Sequence, residues 1–335
     1  MSSMKDVAKL AGVSVSTVSR VVNNQNFPID EITKQKVLDA IRKLNYKPNL
    51  LAQGLRLKSG SLIGLVVPDF VPLHAFANII KYVEEFALQY DFNLILGNNH
   101  DNPQIEERFI DSLIRRSVDG IIFSRVSDES RVLKILSQRN IPIVVIDRAL
   151  EDESVPSVVL NNARAGELAA EHFVSLGHHR IGCITGPLNI ALCRERLKAF
   201  RQILLRHQIE FHDDNVFEGD FKLESGQKGI AALLRNQPDL TAVWAQNDIM
   251  AAGVIKELYR RGMRVSEDVS VMGMDDVSLA IMMTPALTTI KQPFQEMSQK
   301  AVEMIVNQRD GNPGTDRKIV LEPTLVVRET TAHAK

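Results

Sequence analysis

A small all-α head joined to a larger α/β body, the body carrying two doubly wound parallel-sheet subdomains, is the fold class the sequence predicts. Three observations carry it. From Ser61 onward, short β-rich apolar runs alternate with amphipathic stretches of helical length. The first two dozen residues follow another rhythm, with two short helical stripes around a Gly turn. Charge is divided unevenly as well. Residues 1–60 hold 10 Lys/Arg against 4 Asp/Glu, a surplus of +6, and the whole chain of 335 residues carries −1, leaving −7 for the remainder. That asymmetry suits a nucleic-acid-binding head on a neutral-to-acidic body.

In the head, Val7, Ala8 and Ala11 form an apolar stripe that Gly12-Val13 ends with a turn. Ser14 is placed to cap a second helix whose apolar face is Val18, Val21 and Val22. Both faces are small enough for close crossing, as a helix-turn-helix requires. Val15, Ser16, Thr17, Ser19, Arg20 and Asn23 are then the outward positions: hydroxyls, an amide, a guanidinium and an apolar group at the helix start. These groups read base edges in a major groove, and the helix carries no acid that would repel phosphate. Lys5 suits a phosphate contact. An ordinary helical hairpin surface would mix Glu with its Lys and Arg.

A third helix is expected from Asp30, with Ile32, Val37, Leu38, Ile41 and Leu44 on its core face and Tyr46 closing the small core. Pro48 starts and Gly60 ends a connecting segment that reads either as a linker or as a short helix. In the body, strands are expected at 62–67, 93–96, 120–123, 143–147, 158–160, 181–184, 216–219, 242–244, 269–272 and 288–290, with a final pair within 319–328. Helices are expected near 75–90, 103–116, 163–176, 191–208, 224–235, 249–261 and 293–307, with one more before Ile143. Apolar runs with no alternation mean strands buried on both faces, hence parallel sheets covered by helices.

Composition narrows the function classes. Hydrophobic content of 44% supports a sizeable core, and 5% aromatics point to aliphatic packing. Cys183 and Cys193 show no CxxC or zinc spacing, so free thiols in a reducing compartment are expected. Neither a leader-like apolar start nor an 18-residue apolar run is present, which predicts a cytoplasmic protein. GxxxxGK[ST], GxSxG, HExxH and GxGxxG are all missing, so no enzyme, catalytic residue, metal or cofactor is expected. His178-His179 is read as a turn after a helix.

Ligands of open parallel sheets bind at the carboxyl ends of the strands. Polar residues recur at those ends: Asp147-Arg148, Phe221 after Glu218-Gly219-Asp220, Asn247-Asp248, and Asp275 after Met272-Gly273-Met274. Arg196, on the helix after Thr185-Gly186-Pro187-Leu188, is within reach of them. Two carboxylates, an amide and a guanidinium offer paired hydrogen bonds to vicinal hydroxyls, and Phe221 offers a face for the C–H side of a ring. Each residue alone reads more simply as a cap, an ion pair or core. Five at corresponding strand ends in both halves point to a saccharide-type cleft.

Lys5-Asp6-Val7-Ala8, Ala11-Gly12-Val13-Ser14 and Thr17-Val18-Ser19-Arg20-Val21-Val22-Asn23 together resemble the amino-terminal signature of the LacI/GalR family of bacterial transcription regulators. Gly177-His178, Ile181, Gly186-Pro187-Leu188, Arg196-Leu197, Asn247-Asp248, Gly273, Asp275-Asp276, Leu287-Thr288-Thr289-Ile290 and Gln292 resemble its periplasmic-binding-protein-like body. The resemblance implies a DNA-binding domain at 1–47, a hinge helix at 48–60 and an effector and dimerisation domain at 61–335. The last divides into an N-subdomain (about 61–160 and 292–320) and a C-subdomain (about 161–291 and 321–331).

It also implies Asn49 and Leu55 as minor-groove contacts, Leu55 being the wedge that bends the duplex. The pocket of lactose-type members carries over to His74, Ala75, Asp147, Arg196, Phe221, Asn247, Asp275 and Phe294, with Phe76 beside them and Arg148 next to Asp147. Polar contacts of the purine-type branch fall here on Ile190 and Leu192, both apolar, which disfavours a purine. The reading is therefore a homodimeric repressor of a pseudo-palindromic operator, controlled by a carbohydrate-like effector and without a membrane partner. Control by a phosphorylated sugar, a nucleobase or a partner protein is the alternative. A plain solute-binding protein is opposed by the basic head.

Overall fold

The protein is described from a computed structural model at residues 3–22, 29–46, 62–68, 75–100, 102–124, 140–148, 155–312, 314 and 317–335. Asn23, Asn49, Leu55, His74, the segment 48–60 and the helix expected before Ile143 lie outside these residues. The chain divides into two compact units, Met1–Ser61 and Leu62–Lys335.

In the first unit, α1 (Met4–Ala11), α2 (Val15–Val22) and α3 (Glu31–Lys43) enclose a core of Val7, Ala8, Val18, Val37 and Ala40. Ser3 and Asp6 form a reciprocal capping box at the start of α1, and Gly12 ends it in the left-handed conformation. The Thr17 backbone N–H donates to Ser14 Oγ at 3.1 Å, so Ser14 holds the first turn of α2. Asp30 caps α3 by accepting from the Thr33 N–H at 2.9 Å. Two side chains depart from the sequence pattern. Ile32 is 72% exposed, because α3 turns Val37 and Ala40 inward instead. Ser19 is only 7% exposed, because it falls between Val18 and Val22 on the packed stripe of α2.

The second unit holds two sheets of six strands. The first is ordered β11-β5-β4-β3-β1-β2, from β1 (Leu62–Val67), β2 (Asn93–Asn98), β3 (Gly120–Phe123), β4 (Ile143–Asp147), β5 (Ser157–Leu160) and β11 (Lys318–Leu321). The second is ordered β12-β10-β9-β8-β6-β7, from β6 (Ile181–Thr185), β7 (Val216–Glu218), β8 (Ala242–Ala245), β9 (Ser270–Asp275), β10 (Thr288–Lys291) and β12 (Thr324–Val326). All pairings are parallel except β10 with β12. Buried strands such as β3, β5, β6 and β8 are largely apolar, as helices on both faces require.

Helices α4 (Ala75–Gln89) and α5 (Pro103–Arg115) cover the first sheet. The second is covered by α6 (Asn162–Ser175), α7 (Ala191–Arg206), α8 (Leu223–Asn236) and α9 (Asp248–Arg260). A five-residue helix, α10 (Ser278–Met282), has no counterpart in the sequence pattern. After β10 the chain returns: α11 (Phe294–Arg309) buries Phe294, Met297, Ala301, Val302 and Ile305 in the core of the first sheet. Next, β11 joins the first sheet beside β5 and β12 joins the second beside β10. The chain thus passes between the sheets three times. The first and third passages are tied together, since Asn161 N–H donates to Leu321 O (2.8 Å) and Asn161 Nδ2 to Glu322 Oε1 (2.9 Å).

Close approach of α6 to α7 depends on Gly166. A Cβ there would collide with the main-chain carbonyl of Arg196. Gly166→Ala is expected to cost about 1–3 kcal/mol through overpacking, measured by urea unfolding of the body. Unchanged stability would show that the two helices are free to separate.

Candidate functional site

Between the two sheets of the body lies a cavity of about 150 Å³, lined by residues that leave the carboxyl ends of several strands. Asp147 ends β4, Gln246 and Asn247 follow β8, Asp275 ends β9 and Gln292 follows β10. The backbone turns sharply at these points. Asp147 has φ +71°, Phe221 +65°, Asp275 +110° and Asp276 +56°, all in the left-handed region that side chains other than Gly avoid. Each such residue costs about 1–3 kcal/mol and persists where its surroundings hold it.

Those surroundings are visible at Asp275. Asp248, 1% exposed at the start of α9, accepts from Thr289 Oγ1 (2.6 Å) and from the Val277 N–H (2.9 Å), pinning the turn after Asp275. Arg328 donates to the Leu287 carbonyl oxygen and to Asp276 Oδ1, closing the same turn from outside. Gln292 Nε2 donates to Asp275 Oδ1 at 2.6 Å, while Gln292 Oε1 is buried without a partner.

Arg196 is 3% exposed on α7, and its Nε donates to Asn162 Oδ1 at 2.8 Å. Gln246, fully buried, forms the floor: its Oε1 accepts from the Gly186 N–H (3.3 Å) and its Nε2 donates to Cys193 O (3.3 Å). Asn247 has two tasks, capping α9 through the Met250 N–H (2.8 Å) and donating from Nδ2 to Phe221 O (2.9 Å). The Phe221 ring lies against Gly186, where a Cβ would strike it.

Electrostatics follow from burial. Desolvation raises the Asp147 carboxyl above its ordinary value, with Arg148 and Arg196 opposing it. Asp275 is pushed up to about 7 by desolvation, against the pull of Arg196 and the Gln292 hydrogen bond. Asp248 is raised well above the carboxylate range by burial and by the nearby Asp275. Burial also raises Cys193 to about 11, so this thiol stays protonated and unreactive.

Among the residues predicted from sequence, the structure brings Ala75, Phe76, Asp147, Arg148, Arg196, Phe221, Asn247 and Asp275 to this one cavity. Phe294 is a correction. It is 5% exposed, packs into the core of the first sheet and lines a neighbouring hollow, because the register of α11 turns it inward. Gln246 escapes the sequence reading, and Gln292 enters it only as a landmark of the family-like body and not as a pocket residue, although each directly follows a strand on the side already identified. In the head, Lys5, Val15 and Ser16 are exposed, and Thr17 and Arg20 are half-buried. Ser19, expected outward, is buried as described. Ser14 Oγ is hydrogen-bonded to Ser16 Oγ (2.7 Å) and Thr17 Oγ1 (2.8 Å), a preset group of hydroxyls at the acid-free start of α2.

Residues 61–322 match the family described as periplasmic binding proteins and sugar binding domain of LacI family, and residues 3–49 match bacterial regulatory proteins, lacI family. The chain belongs to the LacI family. This LacI-family protein is 32% identical to the HTH-type transcriptional repressor PurR of Aliivibrio salmonicida over 98% of its length and 99% of the relative's. It is 34% identical to the ribose operon repressor of Escherichia coli K12, covering 98% and 99%. Among solved structures, the lac repressor dimer bound to operator and the anti-inducer ONPF aligns with TM-score 0.88 and 31% identity, covering 99% of both chains. A complex of the transcriptional regulator CelR with cellobiose aligns with TM-score 0.76 at 29% identity, covering 98% and 100%. The LacI-family protein is accordingly a DNA-binding transcriptional regulator with an allosteric effector-binding body.

Asp275 sets a pH dependence. Its carboxyl binds a proton more tightly in the folded body than in the unfolded chain, where the value is about 3.9. The stability this contributes is complete below about pH 4 and is lost as pH rises through about 7. Asp147 and Asp248 act in the same direction. Asp275→Asn is therefore expected to raise the thermal midpoint of the ligand-free body at pH 8 and to flatten its decline between pH 4 and 7. Midpoints recorded across that range check this; an unchanged slope would refute it.

Proposed function

We propose that this regulator is a repressor controlled by a small, hydroxyl-rich, carbohydrate-like effector bound between the two sheets of its body. The observation that carries the reading is the buried Arg196 in one cavity with Asp147, Asp275 and Asn247, beside the Phe221 ring. A guanidinium and carboxylates bind vicinal hydroxyls in pairs, and an aromatic face takes the C–H side of a ring. The sugar-binding description of the matched body and the ribose operon repressors among its relatives support the same class.

Control follows from where the ligand acts. Asp147 belongs to the first sheet, and Arg196, Asn247 and Asp275 belong to the second, so a ligand touching both favours one relative arrangement of the sheets. Gln292, on the second passage between the sheets, is already bonded to Asp275 and feels any change there. The effector alters operator affinity only through its differential affinity for the two arrangements, a few kcal/mol for a useful switch. The lac repressor structure is a dimer on operator, and a homodimer on a pseudo-palindromic site is our reading here. A cytoplasmic location is our reading from its DNA-binding role; no helix among the described residues is long and apolar enough to cross a membrane.

Arg196→Ala and Asp275→Ala are each expected to abolish the effector's influence on operator affinity while ligand-free operator binding persists. Each leaves a buried polar partner unsatisfied, at about 1–3 kcal/mol. Fluorescence anisotropy with labelled operator, with and without effector, measures this; a normal response in both variants would sink the cleft assignment. In the head, Ser16→Ala is expected to change base preference at one or two half-site positions. Lys5→Ala should instead weaken all sequences alike and reduce the salt slope by about 1. A uniform loss from Ser16→Ala would contradict direct readout.

A further inference from the structure

One wall of the effector cavity is built against local helix chemistry. Ile190 occupies the N-cap of α7 and makes no side-chain cap hydrogen bond. Among the described helices, α1, α3, α5, α6 and α9 carry Ser3, Asp30, Asn102, Asn161 and Asn247 at that position, each accepting from the first turn, whereas α8, α10 and α11 share with α7 the lack of a side-chain cap. Isoleucine is among the poorest N-caps and adds nothing to the start of α7. Its side chain lines the cavity, and Leu192, only 8% exposed, lines it too. This edge of the cavity is apolar. Size is restricted at the floor, because the Gln246 side chain is fixed between Gly186 and Cys193. The space of about 150 Å³ is enough to admit one six-membered ring, and the cavity is partly open at its mouth. Among the described lining residues, the acids Asp147, Asp220 and Asp275 are matched by Arg148, Arg196 and Lys222.

We infer, on the basis of the carbohydrate reading above, that the preferred effector is a neutral monosaccharide whose six-membered ring lacks a hydroxymethyl group, a pentopyranose or a 6-deoxyhexose. Its hydroxyl-bearing edge faces Asp147, Arg196, Asn247 and Asp275, and its bare or methyl edge lies on Ile190 and Leu192. A hydroxymethyl group there would lose its water with no partner to replace it. An apolar pocket rejects an added hydroxyl by about 10- to 100-fold, which is the discrimination expected.

The test is calorimetric titration of the full-length protein with matched sugars: D-glucose against D-xylose, and D-galactose against L-arabinose and D-fucose. Cellobiose, D-glucose 6-phosphate and hypoxanthine complete the panel. The expected result is tightest binding by a member without the hydroxymethyl group, about 10- to 100-fold above its partner. In Ile190→Ser that margin should shrink by tenfold or more, while the thermal midpoint rises because Ser caps α7. Tightest binding by cellobiose, by the phosphate or by a hydroxymethyl sugar overturns the inference and leaves the carbohydrate reading standing. Binding of hypoxanthine with no sugar overturns both. No binding across the panel, or an Ile190→Ser protein with an undiminished margin, also overturns the inference.

Discussion

A buried guanidinium governs the body of this protein. Arg196, at 3% exposure, is the sole buried Lys or Arg among the described residues. Leaving a charge that deep uncompensated costs far more than any nearby packing gain. Its surroundings answer that demand: Asn162 accepts from Nε, and two carboxylates on different sheets lie within its field. The Gly166 contact that lets α6 approach its main chain serves the same end. Position, partners and helix crossing are thus one arrangement, and the cavity is what remains between them.

The carboxyl groups sit where burial disfavours their charged forms, and their backbones lie in conformations that residues with a Cβ avoid. On the carbohydrate reading proposed above, ligand hydroxyls would relieve part of this, donating to the carboxylates and accepting from the arginine. Stability given up in the empty site is then recovered in the occupied one, a common arrangement at binding sites. Asp248 illustrates the supporting work, since it touches no cavity surface yet fixes the turn that presents Asp275.

Much of this is legible in the sequence, for identifiable reasons. Continuous apolar runs such as 143–146 and 181–184 mark doubly covered strands, and α3 starts directly after the cap expected at Asp30. Strand ends reveal Asp147, Asn247 and Asp275 because a polar group closing an apolar run sits where a ligand of a parallel sheet must lie. The same pattern fades one residue short at Gln246 and at Gln292, since an uncharged amide gives a weaker contrast. Phe294 and Ser19 mislead because exposure on a helix depends on its rotation about its axis, which tertiary packing sets. Ile32 fails likewise, and α10 is too short for any period to register. The pairing of β11 and β12 with different sheets is set by contacts across long stretches of chain, beyond any local pattern.

That pairing has a consequence for how the molecule is made. The last strand of the first sheet's opening run ends at residue 160, but the helix that fills its core begins at residue 294. Its edge strand β11 begins only at residue 318. During synthesis the first sheet therefore waits with an apolar face open while nearly all of the second sheet is built. Contacts so distant in sequence slow folding and prolong exposure of sticky surface. The nascent chain should consequently depend on chaperones until its final strands emerge, and truncation before residue 294 should yield two half-built layers and no independent subdomain.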